Sequence, residues 1–141
     1  MKIAKEFRWE MGHRLPLHKG LCNNFHGHSY KMVVEVEGEP EKSGMVIDFY
    51  DLGKIINPII AKYDHAFLCW DGDKVVKNFL VKNKMKYVIA KYHSTVENIC
   101  EDFLYQISAK LKVKRFKNIS KVTVKIQETP NSYAEKEMEL R

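Results

Sequence analysis

The sequence predicts an α+β fold whose strands and helices follow the order β-β-α-α-β-β. Two observations support this prediction. Apolar and polar residues alternate near both ends of the chain, as in half-buried strands, whereas apolar residues recur at helical spacing in the middle. Strands that flank a run of helices favour an antiparallel sheet with the helices on one face.

The first two strands are predicted over residues 1–13 and 26–37, where the alternation is regular. The connecting loop, residues 14–25, is rich in residues typical of turns. Side chains of a strand point alternately to its two faces, so the apolar residues of each strand share one face. Three histidines lie on those apolar faces: His13, His26 and His28.

The first helix is predicted from apolar residues at helical spacing over residues 52–63, with Asp48 as the N-cap. Pro58 should kink this helix or end its first part, because proline donates no backbone hydrogen bond. The following segment is irregular, and we expect in it a short helix near residues 74–83 and a short strand near residues 86–90.

The second long helix is predicted over residues 94–111, opened by a capping box of Ser94 and Glu97. Two final strands are predicted over residues 119–128 and 132–140. A sheet of four strands leaves two edges unpaired unless subunits share it, so we expect the chain to form a homo-oligomer.

Length and composition indicate one domain over residues 1–141, and 45% of the residues are hydrophobic. No apolar run approaches the roughly 18–20 residues that cross a bilayer, so we expect no membrane partner. The three cysteines suggest a reducing compartment, and we expect a cytoplasmic protein. The net charge of +6 forms no basic stripe. The simplest interpretation of this charge is a solvated face. As a functional signal it favours attraction of a polyphosphorylated small molecule over nucleic acid, for which no reader motif is present.

The three histidines are the strongest functional signal. A single histidine on an apolar face is usually a satisfied core residue, but three uncompensated buried imidazoles are costly. A shared metal ion removes this cost, and three protein ligands with one open position are typical of catalytic Zn²⁺. The sequence therefore predicts zinc as the cofactor, bound by His13, His26 and His28.

Cys22 lies four residues before His26, and it has two interpretations. It could be a fourth ligand that closes a structural zinc site. It could instead be a free thiol beside an open zinc ion, where a lowered pKa would make it a base or a nucleophile. The residues alone leave both open.

Asp64 and His65 follow the first helix directly. A carboxylate can orient an imidazole so that it relays protons, whereas the alternative is a simple cap at the end of the helix.

Taken together, these motifs resemble the 6-pyruvoyl-tetrahydropterin synthase / 6-carboxytetrahydropterin synthase family. They occur in the order of the family and span nearly the whole chain. The matching segments are His13-Arg14-Leu15, Cys22-Asn23-Asn24-Phe25-His26-Gly27-His28-Ser29-Tyr30, Gly44-Met45-Val46-Ile47-Asp48-Phe49, Asp64-His65, Ser94-Thr95-Val96-Glu97-Asn98 and Glu128-Thr129.

The resemblance implies a tunnelling fold, trimers whose sheets join into a barrel, and two trimers stacked as a hexamer. It implies zinc on the three histidines and gives Cys22 the role of the catalytic base. Asp64 and His65 would complete a proton relay, either within one subunit or across a subunit boundary. Glu128 would bind the guanidine-like edge of the pterin in a bidentate manner; otherwise it is a surface acid at the end of a strand. Thr95 and Glu97 would line the pterin pocket, although Glu97 keeps its rival role in the capping box.

The implied substrate is 7,8-dihydroneopterin triphosphate. The family gives two products: 6-pyruvoyl-tetrahydropterin, or 6-carboxy-5,6,7,8-tetrahydropterin with loss of acetaldehyde, which serves the biosynthesis of queuosine and other deazapurines. The three residues between Cys22 and His26 resemble the second group, so we favour the carboxy product. The rival classes are a non-catalytic module stabilised by zinc and, from charge alone, a nucleic-acid-binding protein.

Overall fold

The computed structural model describes residues 1–114 and 116–140. Nine regular elements follow one another along this part of the chain. They are β1 (Lys2–His13), β2 (His26–Gly38), α1 (Phe49–Tyr63), β3 (Ala66–Trp70), α2 (Lys74–Lys82), β4 (Tyr87–Ala90), α3 (Val96–Val113), β5 (Ile119–Thr129) and β6 (Ser132–Glu139).

All six strands form one sheet in the order β4-β3-β1-β2-β5-β6. The four predicted long strands pair antiparallel, as expected. The sheet is larger than predicted, because β3 and β4 extend it beyond β1 and pair in parallel. Strand β4 matches the short strand expected near residues 86–90. Strand β3 was not predicted, because its five mostly apolar residues show no alternation that would indicate a strand.

The main core lies between the sheet and the helices α1 and α3, which cover one face as predicted. Inward side chains of β1, β2 and β5 pack there with apolar residues of both helices, and examples are Trp9, Met32, Val124, Ile56 and Phe103. The short helix α2 lies on the opposite face of the sheet. Its residues Val76 and Leu80 pack with Cys69, whereas the preceding residue Leu68 points into the main core.

Helix α1 begins as predicted, because the side chain of Asp48 accepts a hydrogen bond from the backbone N–H of Tyr50 at 2.7 Å. Pro58 does not end the helix, which continues unbroken to Tyr63. Pro58 lies on the exposed side of α1, so water can satisfy the carbonyl that its missing N–H leaves free. None of the described helices is long and apolar enough to cross a membrane.

Candidate metal and substrate site

The three histidines meet where β1 ends and β2 begins. His13 and His26 are direct cross-strand partners, and His28 is two residues further along β2 on the same face. Each histidine offers one ligand atom, and these three atoms all lie within 4.8 Å of one another. The ring centroids are 4.6 Å apart for His13 and His26, 5.2 Å for His13 and His28, and 5.1 Å for His26 and His28. The predicted convergence of the three imidazoles is therefore present.

Backbone carbonyls fix the orientation of two of these imidazoles. The Nδ1 atom of His13 lies 2.8 Å from the carbonyl oxygen of Ser94, and Nδ1 of His26 lies 2.8 Å from that of Asn24. A carbonyl oxygen can only accept, so Nδ1 carries the hydrogen in both rings. The lone pair of each neutral ring is then on Nε2, and both Nε2 atoms are buried without a hydrogen-bond partner.

The charge state also suits a metal. Burial of His13, with only 1% of its side chain exposed, lowers its pKa to about 4, and the neighbouring His26 and His28 add to this effect. The pKa of His28 is lowered as well, mainly by burial and against the attraction of Glu128. Neutral imidazoles are the form that binds Zn²⁺, and three of them leave a coordination position open. The residues present therefore fit a zinc ion.

Glu128 lies beside the histidine cluster, near the end of β5. Its Oε1 atom is 3.4 Å from Nε2 of His13 and 3.6 Å from Nε2 of His28. The hydroxyl of Tyr30 donates to the same oxygen at 3.3 Å, and burial together with this carboxylate raises the pKa of Tyr30. The carboxylate borders an open cavity of about 570 Å³, whose lining includes His28, Arg8 and Lys31. A ligand in this cavity would reach both the carboxylate of Glu128 and the imidazole of His28.

Gly27 separates two of the histidines and faces Gly12 across the strand pair. A Cβ atom at Gly27 would lie 2.9 Å from the backbone oxygen of Met11 and 3.4 Å from Cα of Gly12. Both contacts are to backbone atoms that cannot rotate away, so a side chain here would push β1 and β2 apart.

Cys22 lies in a single helical turn, Leu21–Asn23, within the loop between β1 and β2. Its thiol is free and half-buried, and its carbonyl accepts a hydrogen bond from the backbone N–H of Leu15 at 2.8 Å. The group of candidate metal ligands contains the three histidines without Cys22. This geometry favours the open-site interpretation of Cys22 over the fourth-ligand interpretation.

Asp64 and His65 form a pair at the end of α1, with 3.0 Å between Oδ1 of Asp64 and Nδ1 of His65. The backbone of Glu10 holds both residues: its N–H donates to Asp64 at 3.0 Å, and its carbonyl accepts from the N–H of His65 at 2.7 Å. The pKa of Asp64 is lowered, first by that N–H of Glu10. His65 adopts a left-handed backbone (φ 58°) and is 76% exposed. Within residues 1–114 and 116–140, no hydrogen bond or ion pair joins this pair to the histidine cluster.

The predicted capping box at the start of α3 is wrong. The N-cap is Thr95, whose hydroxyl accepts from the N–H of Asn98 at 3.4 Å, and Glu97 is exposed in the first turn. Ser94 is buried and serves the histidine cluster instead. Its carbonyl accepts from His13, and its hydroxyl donates to the carbonyl of Arg14 at 3.3 Å. The sequence did not reveal this role, because Ser94 and Thr95 are both of the residue types that cap helices. The sequence alone does not show which of the two is the N-cap.

Comparisons with known proteins identify the family of the chain. The sequence model of the family described as 6-pyruvoyl tetrahydropterin synthase matches residues 2–139. The 6-carboxy-5,6,7,8-tetrahydropterin synthase of Haemophilus influenzae is 35% identical, over 95% of this chain and 96% of that protein. A putative 6-carboxy-5,6,7,8-tetrahydropterin synthase of Pyrococcus horikoshii is 34% identical, over 94% of this chain and 85% of that protein.

Solved structures support the fold. The 6-pyruvoyl tetrahydropterin synthase of Caenorhabditis elegans superposes with a TM-score of 0.70 at 26% identity, covering 98% of this chain and 95% of that one. The synthase of Plasmodium falciparum superposes with a TM-score of 0.79 at 18% identity, covering 99% and 98%, and this likeness concerns the fold alone. These matches confirm the tunnelling fold and the expectation of an enzyme. The chain belongs to the 6-pyruvoyl tetrahydropterin synthase family.

Proposed function

We propose that this chain is a zinc-dependent lyase that converts 7,8-dihydroneopterin triphosphate and one water molecule to 6-carboxy-5,6,7,8-tetrahydropterin, with release of acetaldehyde and triphosphate. The observation that carries the proposal is the convergence of two buried, unpartnered imidazole nitrogens on a third imidazole, with the carboxylate of Glu128 beside them. The names of the curated relatives support the carboxy product. A role in the biosynthesis of queuosine or another deazapurine would follow from that product.

The proposed metal ligands are the Nε2 atoms of His13 and His26, together with the imidazole of His28. When bound there, zinc would act as a Lewis acid toward the side-chain hydroxyls of the substrate and make the adjoining C–H bonds more acidic. The carbonyls of Ser94 and Asn24 keep the ligand rings in the required tautomer, which is the usual role of groups behind metal-binding histidines.

Glu128 is the proposed pterin-binding residue. Its carboxylate would accept two parallel hydrogen bonds from the guanidine-like edge of the ring, and Tyr30 steadies that carboxylate from behind. Thr95 and Glu97 are proposed to line the pterin pocket, because they lie one and three residues after Ser94, which contacts His13. Arg8 and Lys31 border the cavity beside Glu128, where each also pairs with Glu6, and they are proposed to attract the leaving triphosphate.

Cys22 is the proposed base. It belongs to the loop that joins two of the metal-binding strand ends, so its thiolate can approach a substrate bound at the cluster. Proton transfer of this kind contributes typically 10²–10⁴-fold to a rate. The triphosphate leaves by elimination, which requires a proton to be removed from carbon.

The pair of Asp64 and His65 is proposed to relay protons from a neighbouring subunit. In one chain this pair contacts Glu10 and is not joined to the cluster, and His65 is exposed. A trimer, or two stacked trimers, would bring a second copy of the pair to each cluster. The outer strands β4 and β6 leave sheet edges at which such subunits can pair.

The second candidate is a 6-pyruvoyl-tetrahydropterin synthase, which eliminates triphosphate from the same substrate and keeps the three-carbon side chain. The names of the family and of the superposed structures favour it. A non-catalytic module closed by Cys22 is the weaker alternative, because Cys22 stands outside the candidate ligand group.

The test is incubation of the zinc-loaded protein with 7,8-dihydroneopterin triphosphate, followed by identification of every product by mass spectrometry. Acetaldehyde together with a 6-carboxypterin would support the proposal. A pyruvoyl product would replace it with the second candidate, and no turnover by zinc-loaded protein would overturn both. The Cys22→Ala variant is the control: it should retain zinc and lose turnover, whereas loss of zinc and unfolding would favour the structural module.

A further inference from the structure

The segment from β3 to β4, residues 66–90, supports the end of β1 that carries His13. Strand β3 pairs in parallel with the last three residues of β1, so that His13 lies opposite Leu68. Helix α2 follows β3 and packs back against it through Val76 and Leu80. Backbone pairing alone would hold the strand without fixing the direction in which the chain leaves His13.

An ion pair fixes that direction. Arg14, the residue after His13, donates to both carboxylate oxygens of Asp73, over 2.6 Å from Nε and 2.8 Å from the terminal nitrogen. Only 5% of the Asp73 side chain and 24% of the Arg14 side chain are exposed. Arg14 holds the pKa of the Asp73 carboxyl below its usual range. Such fork-shaped contacts are geometrically specific, and burial protects this one from water and salt.

Asp73 and Ser94 both act on Arg14. Asp73 caps the start of α2, so its carboxylate is anchored to a rigid element, and it holds the guanidinium. The hydroxyl of Ser94 donates to the backbone carbonyl of Arg14, while the carbonyl of Ser94 accepts from Nδ1 of His13. The side chain and the main chain of Arg14 are thus both fixed. The neighbouring residue is His13, whose Nδ1–H donates to the carbonyl of Ser94.

We infer that Asp73 is a positioning residue for His13. Through Arg14 it sets the exit of β1, and it thereby keeps the imidazole of His13 aligned with the Ser94 carbonyl and its Nε2 atom turned to the metal. The inference rests on the proposed metal site. It implies that α2 and its flanking strands support the position of His13. Asp73 touches neither a metal nor a substrate in this role.

The test compares Asp73→Asn with Asp71→Asn. Asparagine caps helices as well as aspartate, so the first variant keeps the cap of α2 and removes the negative charge that faces Arg14. The second variant makes the same chemical change on the same segment, but it breaks an exposed ion pair, Asp71–Lys77. Zinc affinity is measured by competition with a chromophoric chelator. We expect about tenfold weaker binding for Asp73→Asn, the lower end of the effect of groups behind metal ligands, and wild-type affinity for Asp71→Asn.

A second measurement does not depend on zinc. In the metal-free protein, NMR follows the solvent exchange of the Nδ1 hydrogen of His13, which the Ser94 carbonyl protects. We expect faster exchange in Asp73→Asn and unchanged exchange in Asp71→Asn. Arg14→Lys keeps the positive charge without the fork, and it should give the same faster exchange if Asp73→Asn fails to fold.

The two measurements separate the inference from the proposed function. Wild-type exchange in both Asp73→Asn and Arg14→Lys would overturn the inference, even if zinc binds. Failure of the wild-type protein to bind zinc would overturn the proposed metal site, and the exchange data would still decide whether Asp73 positions His13. Equal changes in Asp73→Asn and Asp71→Asn would also count against a specific role of Asp73.

Discussion

Zinc should raise the stability of this protein measurably, because the metal-free protein buries imidazole nitrogens that have no partner. The Nε2 atoms of His13 and His26 are buried without hydrogen-bond partners. An unsatisfied buried polar group costs about 1–3 kcal/mol, so the two atoms together cost about 2–6 kcal/mol in the metal-free protein. A metal ion that accepts both lone pairs removes this cost. The metal-free protein should therefore be markedly less stable than the loaded one.

The expected shift follows from mass action. At a free zinc concentration 100-fold above Kd, the folded state gains about 2.7 kcal/mol. For a chain of this length, one kcal/mol changes Tm by about 3–4 °C, so zinc should raise Tm by about 8–11 °C. Differential scanning calorimetry of chelator-treated protein, repeated over a series of buffered zinc concentrations, measures this shift.

Two variants make the assay specific. His26→Ala removes a proposed ligand together with its unpartnered nitrogen, so its Tm should not depend on zinc. His18→Ala removes an exposed histidine of the neighbouring loop, whose Nδ1 accepts only from the N–H of Gly20, and it should keep the full shift. A zinc-induced rise in His26→Ala as large as that of the wild-type protein would refute the assignment of the ligands.

Three further results are expected. Cys22→Ala should retain one zinc per chain and lose at least about 10²-fold in turnover, measured by triphosphate release under saturating substrate; undiminished turnover would exclude the thiol as base. Glu128→Gln should weaken binding of a pterin substrate about 10–100-fold, because it loses charge-assisted hydrogen bonds worth about 1.5–3 kcal/mol, while the zinc content measured by atomic absorption stays the same. Asp73 has a lowered pKa in the folded protein, so its ion pair with Arg14 adds stability above the unfolded-state pKa of about 3.9 and loses it as the pH falls through the folded-state pKa. Urea unfolding of the wild-type protein and of Asp73→Asn should therefore differ at pH 7 and converge below pH 4; a constant difference would contradict this linkage.

Residue patterns were sufficient for the part of the site that lies on regular strands. The alternation of β1 and β2 placed His13, His26 and His28 on one face, and hairpin pairing then fixed their convergence. The long elements were predicted to within three residues of their observed ends, because each carries several turns or pairs of periodic residues.

The remaining features depend on contacts between distant segments, which local patterns do not encode. Strand β3 is a short apolar run that becomes a strand because it pairs with β1. The role of Ser94 depends on His13, 81 residues away in the chain. The partnership of Arg14 and Asp73 spans 59 residues, and neither residue stands in a recognisable motif with the other. Of the two effects predicted for Pro58, the end of the helix is wrong, because the outcome depends on which side of α1 faces water.

The close approach of β1 and β2 at Gly27 limits how this enzyme can change. A Cβ atom at that position meets the backbone of Met11 at 2.9 Å, so any replacement would displace the histidine on either side. Retention of the proposed metal site therefore leaves little room for substitution at residues 26–28. Libraries that aim at a new substrate should instead diversify Gln127 and Thr129, which also line the cavity.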